Sequence, residues 1–289
     1  QVVVHPVDGD ATALVQHAID KVAALPVQKN GFRGAVLLRE GIYNLSGRLQ
    51  LKATGVVLRG SGENTIVRAT GHDRETLIRI HGKNDRVMDA PRLIVTGYVP
   101  VNATRLEVDD ASGLEAGRQV SVHHPSTLEW IGALKMDEFG GETAWLGWKP
   151  GQRDIFWERE IVGVRGNTIT LDVPLTAALD TTYSRGRVVP FSWPGRISQV
   201  GIERMTLESE SDPRNPKDED HCWFAITMEN VRDGWVREVT FRHFAGSAVA
   251  LYETASRITV RDCISLDPVS EIAGQRRNTF FTMGQQTLF

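Results

Sequence analysis

A short strand pattern that returns at a fixed interval constrains this chain more than any other feature. DGWVREVTF at 233–241 is followed by RITVRDCI at 257–264 and preceded by VGIERMTL at 200–207, each with the same order of apolar and polar positions. Val236 and Val260 are 24 residues apart, and the strands before them, at Ile226 and Val249, are 23 apart. Ile202 precedes Val236 by 34 residues, one such interval plus a polar insertion at 208–220. Short strands recurring at this period, without hairpin turns between them, specify a solenoid of stacked coils. Its side wall is long and flat, which suits a linear ligand. A polymer is the expected substrate.

At 289 residues the chain can bury a large core, as one elongated domain or one domain with an insertion. The formal net charge is -3 and no basic stripe interleaves with aromatics, which argues against a nucleic-acid partner. No apolar run approaches the roughly 20 residues of a membrane span. The first residue is Gln1, as in a mature secreted or a trimmed chain, so a secreted or periplasmic location is expected. Cys222 and Cys263 have no CxxC neighbour and read as buried thiols that pack as small apolar residues. No metal or cofactor is expected.

Asp10 can cap a helix whose Ala11, Leu14, Val15, Ala18, Ile19 and Val22 recur at helical spacing until Pro26 ends the pattern. Strands follow at 35–38, 49–51, 56–58, 65–67 and 77–80, punctuated by glycines. A helix at this place covers the apolar interior that a first coil would otherwise expose. The rhythm stops near Arg86 and resumes near Arg187. Between them, strands at 104–108, 119–122, 158–164 and 168–173, with a turn at 165–167, read as a small antiparallel β module. The expected organisation is a cap with first coils at 1–94, an inserted module at 95–186, and later coils of the same solenoid at 187–289. The last residues begin another coil without a capping element. An open coil end is a row of unpaired backbone groups, so the natural protein is expected to continue, or another chain to cover this end.

The run GAVLLREGIYNLSGRLQL at 34–51, followed by GVVLRGSGENTI at 55–66, resembles the N-terminal coils of pectate-lyase-like proteins. The resemblance implies an all-β fold, a right-handed parallel β-helix with an N-terminal capping helix, here interrupted by the antiparallel module. That superfamily includes polysaccharide lyases, glycoside hydrolases, carbohydrate esterases and phage tailspikes, so an enzyme acting on a polysaccharide or oligosaccharide is implied. Its calcium-dependent lyases use clustered aspartates and a basic residue. The later coils here have no Asp-x-Asp ladder, and Lys217 is the only lysine after Lys149, which argues against a calcium mechanism.

Superposing coils locates candidate chemistry. Aligning Ile226 with Val249 sets Glu219, Asp220 and His221 beside Arg242 and His243, and the next coil brings Glu271, Arg276 and Arg277 to the same strand approach. Adjacent coils are about 4.8 Å apart, so these groups would share one edge. His221, His243, Glu271 and Asp220 are the expected catalytic residues, and Arg276, Arg277 and Glu219 the expected substrate contacts. Four of the seven tryptophans fall within 130–157; they form either a local apolar cluster or a stacking platform for sugar rings, in which Trp145 and Trp148 are the expected contacts. A further row, Glu203, Arg237 and Arg261, reads as alternating surface charge. One expected activity is β-elimination on an acidic glycan, with His221 or His243 as base and Arg276 or Arg277 on a uronate carboxylate. The alternatives are a glycoside hydrolase pairing Asp220 or Glu219 with Glu271, and a non-catalytic polysaccharide-binding solenoid.

Overall fold

The apolar residues that recur at helical spacing form one face of α1 (Thr12–Ala23), which follows β1 (Val2–Val4). Val15, Ala18, Ile19 and Val22 of that face are buried. Asp10 fastens the start of the helix: its Oδ1 accepts the Thr12 backbone N–H at 3.0 Å and the Thr12 hydroxyl at 2.6 Å. The same carboxylate accepts the Ser46 N–H at 3.1 Å and its hydroxyl at 2.8 Å. The Thr12 hydroxyl, then the Ser46 and Thr12 amides, hold the Asp10 carboxyl well below the usual carboxylate range. Sequence here dictates both the helix and its tether.

The computed structural model describes residues 1–289. After α1 come β2 (Gly34–Leu38), β3 (Gly41–Leu45) and β4 (Leu49–Leu51), then β5 (Val56–Gly60), β6 (Thr65–Ala69) and β7 (Thr76–His81). The second trio lies parallel on the first, with Val36 opposite Leu58, Tyr43 opposite Val67 and Leu49 opposite Ile78. β3, the GIYNL run, is absent from the strands read in the sequence. It forms because Tyr43 and Leu45 point into the core, the Tyr43 hydroxyl donating to the Val4 carbonyl at 2.9 Å.

Residues Arg86–Pro194 make a separate compact unit. It contains β8 (Val87–Met88), β9 (Arg92–Leu93), β10 (Tyr98–Val99), β11 (Arg105–Glu107), β12 (Gln119–His124), α2 (Leu128–Ala133), a 3-10 turn at Gly141–Leu146, β13 (Ile155–Arg165), β14 (Thr168–Leu171), β15 (Leu179–Asp180) and β16 (Arg187–Ser192). All its pairings are antiparallel. Val120, Val122, Trp157, Ile161 and Val188 belong to its own apolar core. Its bounds are wider than 95–186 because β8 and β9 both pair with β16.

The other unit, Gln1–Asp85 with Gly195–Phe289, resumes with β17 (Ile197–Ser198), β18 (Gly201–Ser209), β19 (Phe224–Glu229), β20 (Val231–Arg242), β21 (Ser247–Leu251), β22 (Ser256–Arg261), β23 (Ile264–Leu266) and β24 (Phe280–Thr282). β18 lies parallel on both β5 and β6, and β19 on β7, so the later strands continue the earlier ladders. Ile202 is opposite Val236, and Val236 opposite Val260. The column Val36, Leu58, Ile202, Val236 and Val260 is buried throughout. Burial of each such side chain is worth about 1.5–3 kcal/mol. Beside it, Arg204, Glu238 and Asp262 hold positive φ of 60°, 53° and 53° at equivalent points of successive strands. These are corners where β18 and β20 each change ladder. Cys222 and Cys263 are both free; burial pushes the Cys222 thiol up to about 12, whereas Cys263, expected to be buried, is only half-buried.

One reading requires correction. Glu203 is not part of a surface row: its side chain is 0% exposed. Its carboxylate accepts Nε of Arg59, Nε of Arg237 at 2.6 Å and Nε1 of Trp235 at 2.9 Å. Arg261 instead pairs with Asp262 at 3.3 Å. The Trp235 indole buries Glu203 by lying over Gly201, where a Cβ would stand 2.1 Å from the ring. Burial alone would raise the Glu203 pKa, but the Arg237, Trp235 and Arg59 donors outweigh it and hold the carboxyl below the glutamate range.

The folded state therefore takes up the Glu203 proton at lower pH than the unfolded chain does. The stability it contributes is full above the unfolded glutamate pKa and is lost as pH falls through the depressed folded value. Glu203→Gln should cost about 1–3 kcal/mol at neutral pH and flatten part of the acid limb of a denaturation series. An unchanged midpoint at neutral pH would show that the three donors are as well satisfied by water.

Candidate functional site

The sites of interest lie where the parallel strands meet the loops at 210–223 and 267–279. His221, expected as a catalyst, is fully buried. Its Nε2–H donates to the Val269 carbonyl at 3.0 Å, and Nδ1 lies 2.7 Å from the Ser209 hydroxyl, itself 2.9 Å from the Cys222 carbonyl. Both ring nitrogens are engaged, so neither reaches a substrate. His221 ties the two loops together, a role that a residue before a polar strand approach does not announce in sequence.

Glu219 and Arg276 do meet, in a two-pronged contact of 2.6 and 2.8 Å. Arg276 also stacks over the Trp223 ring at 4.9 Å, with Arg74 over the same ring at 5.2 Å. Trp223 Nε1 donates to the Glu219 carbonyl at 3.0 Å. The Arg276 guanidinium holds the Glu219 carboxyl below its usual range. Both groups are spent on each other. Arg277 is folded back on Ser270, with Nε to the hydroxyl at 3.1 Å and Nη2 to the carbonyl at 2.8 Å. Exposed Glu271 pairs with Lys217 at 3.1 Å, and the Asp220 side chain is exposed, its carbonyl 3.1 Å from His72 Nδ1. Of the groups aligned by superposing coils, Glu219 and Arg276 meet, while the other side chains take directions that the alignment does not give, because loops obey no strand alternation.

His243 turns elsewhere. With φ at 70°, it faces a cavity of about 400 Å³ lined also by Arg68, Glu208, Glu210, Asp212 and Val269. Glu208, at the end of β18, accepts Arg68 Nε at 3.0 Å on one oxygen and lies 3.8 Å from His243 Nδ1 on the other. Arg68 is opposite Glu208 in the β6–β18 pairing. Two residues on, Glu210 has an exposed side chain without an ion pair, while its backbone N–H is bound to the Ala69 carbonyl at 2.9 Å. Asp212 is tied to Arg214 through its side chain and backbone, which hold its carboxyl below the usual range. The cavity thus offers a fixed carboxylate, an unengaged carboxyl and an imidazole, the groups that acid–base chemistry on a glycosidic bond needs. Sequence reasoning missed Glu208, Glu210 and Arg68. The pairing of β6 with β18 spans 140 residues and is hidden by the insertion, although the ESE run closing the VGIERMTL strand was a visible signal.

In the unit Arg86–Pro194, Trp145 is 78% exposed. Trp148 stacks with Trp130 at 6.1 Å between centroids, and Arg153 lies over Trp148 at 5.5 Å. Trp157, by contrast, is buried and donates to Thr176 Oγ1 at 2.8 Å. No group of three or more His, Cys, Asp or Glu side chains is placed to hold a metal ion, and no helix is long and apolar enough to cross a membrane.

No family model matches the chain, and no curated protein matches it. Solved structures are similar in shape. The tailspike protein gp49 from Pseudomonas phage LKA1 is 18% identical with a TM-score of 0.44, over 88% of this chain and 38% of that one. PfbA, a surface adhesin of Streptococcus pneumoniae, is 13% identical with a TM-score of 0.44, over 94% and 39%. An iota-carrageenase from A. fortis is 12% identical with a TM-score of 0.35, over 90% and 39%. This chain spans less than half the length of each, and similarity this loose carries no argument about the site.

Removing the His221 ring would leave the Val269 carbonyl without its donor and take from the Ser209 hydroxyl one of its two partners, in a buried place. His221→Ala should lower stability by about 1–3 kcal/mol, read as a shifted denaturant midpoint. A variant as stable as the parent, yet inactive, would return His221 to catalysis.

Proposed function

We propose that this chain cleaves glycosidic bonds of a polysaccharide by hydrolysis. The observation that carries the reading is the cavity in which Glu208 is fixed by Arg68 beside His243, with Glu210 unengaged two residues away. Glu208, clamped to a cation, serves as the charged carboxylate. Glu210, free of any ion pair, serves as the proton donor to the leaving oxygen. We take the unit bearing the cavity for a right-handed parallel β-helix capped by α1, a reading supported by its in-register parallel ladders. Such a wall gives a polymer several coils to lie across. The reading goes with a secreted or periplasmic location. The exposed Trp145 and the Trp130–Trp148 stack are assigned to sugar binding, since an aromatic face covers the C–H face of a ring.

A second reading, β-elimination on a uronate polymer, draws on one observation: the half-buried His243 ring and the Arg68 guanidinium both attend Glu208 at the cavity wall. There His243 would take the proton and Arg68 would meet the uronate carboxylate. Of the two expected bases, His221 and His243, the enclosed His221 ring does not reach the cavity.

On a panel of neutral and uronate polysaccharides, Glu208→Gln and Glu210→Gln should each lose about 10²–10⁴-fold in turnover while keeping the parent circular dichroism. New reducing ends without ultraviolet absorbance from an unsaturated sugar identify hydrolysis. Full turnover by both variants would end the assignment, and an unsaturated product lost in His243→Ala would transfer it to elimination.

A further inference from the structure

A second recess, away from the Glu208 cavity, is built on the outer face of β2, β5, β18 and β20. Ala35, Val57, Gly201 and Trp235 occupy one row across these strands, and Leu37, Arg59, Glu203 and Arg237 the next outward row. The first row is small or flat. Val57 is buried, Gly201 has no side chain, and the Trp235 indole lies against it. Phe32 meets Trp235 edge-on at 6.0 Å between centroids. The result is a shallow cavity of about 570 Å³ with Phe32, Ala35, Val57 and Trp235 as its apolar part and Arg59 and Arg237 beside them.

The charges are arranged asymmetrically. Two guanidinium groups share one buried carboxylate, that of Glu203. Each arginine gives only its Nε–H to Glu203, so the Nη groups of both carry no hydrogen bond within the protein. Their side chains are 39% and 37% exposed, while Glu203 is 0% exposed beneath them. Glu203 therefore positions the two forks without competing at the surface. Its bond to Trp235 Nε1 fixes the indole as well. A surface ion pair alone would need no functional explanation. Two forks with unspent N–H groups beside a fixed aromatic plane form a recognition surface for an anionic group carried on a ring.

We propose that this recess binds an anionic sugar residue, its carboxylate or sulfate on Arg59 and Arg237 and its C–H face on Trp235. The inference rests on the glycan reading above and deepens it, since it makes the polymer acidic. It also gives the chain a hold on that polymer separate from the cleavage cavity.

The test is affinity electrophoresis with the turnover-deficient Glu208→Gln protein in gels containing polygalacturonate, a sulfated galactan, or dextran. Polygalacturonate or the sulfated galactan should retard the protein and dextran should not, and the more effective polymer names the anion. Ala35→Glu adds a negative charge to the recess without touching the Glu203 cluster, and should weaken that retention by at least about tenfold. Ala35→Gln, similar in size but neutral, should retain it. Arg237→Gln should lose it as well, and the intact Ala35 variants keep the test informative if Arg237→Gln fails to fold. Absence of retention by both acidic polymers, equal retention by dextran, or equal loss in Ala35→Glu and Ala35→Gln overturns the proposal. A wild-type turnover assay is separate: it can fail while binding at the recess stands, and the reverse.

Discussion

In-register parallel stacking is the constraint on which the rest of this structure depends. Val36, Leu58, Ile202, Val236 and Val260 form one buried column across five strands. Slipping any strand by one residue would turn its apolar side chains outward, so the core fixes the register. Once fixed, the same register sets every outward row. Arg59, Glu203, Arg237 and Arg261 must line up, and so must Arg68, Glu208 and Arg242. The charged rows are a by-product of the apolar one.

The polar groups divide by access. Glu203 and His221 are enclosed, and every hydrogen-bonding atom of each that the fold buries meets a partner. Such satisfied groups rigidify their surroundings, since leaving either partner unmatched in a low-dielectric place is costly. Glu208, Glu210 and His243 stand instead where β18 and β20 end, at the wall of a cavity. Arg59 and Arg237 combine both behaviours, using one N–H inward on Glu203 and keeping the rest for solvent or ligand. The buried carboxylate is what makes a precise outward-facing arginine pair affordable.

The corners show how backbone and packing cooperate. Arg204, Glu238 and Asp262 adopt left-handed backbone at matching points of successive strands, although none is glycine. That conformation is disfavoured for residues with a Cβ and persists where the surroundings over-determine it. Here the flanking strands are committed to two different ladders, and the corner residue takes up the change of direction. Gly60 stands at the equivalent point of β5 without left-handed backbone, and there a Cβ would stand 2.2 Å from the Arg204 carbonyl.

By itself the sequence determined the helix at the start, most strands, the interval between them and the pairings of Ile202, Val236 and Val260, because periodicity and apolar alternation are local signals. The inward Val236, Val239 and Val260 and the outward Arg237 and Arg261 followed from their equivalent places in successive coils, whereas Cys263, expected inward with them, is only half-buried. Only the tertiary structure decided where the loop side chains go. It enclosed His221, joined Glu219 to Arg276 and turned His243 toward Glu208. It also buried Glu203, since the flat Trp235 ring and the absent side chain of Gly201 come from adjacent strands. Arg68 and Glu208 are 140 residues apart in sequence yet opposite each other in the ladder. A repeat announces its own period, but a contact across an insertion, or within an irregular loop, exists only once the chain has been packed.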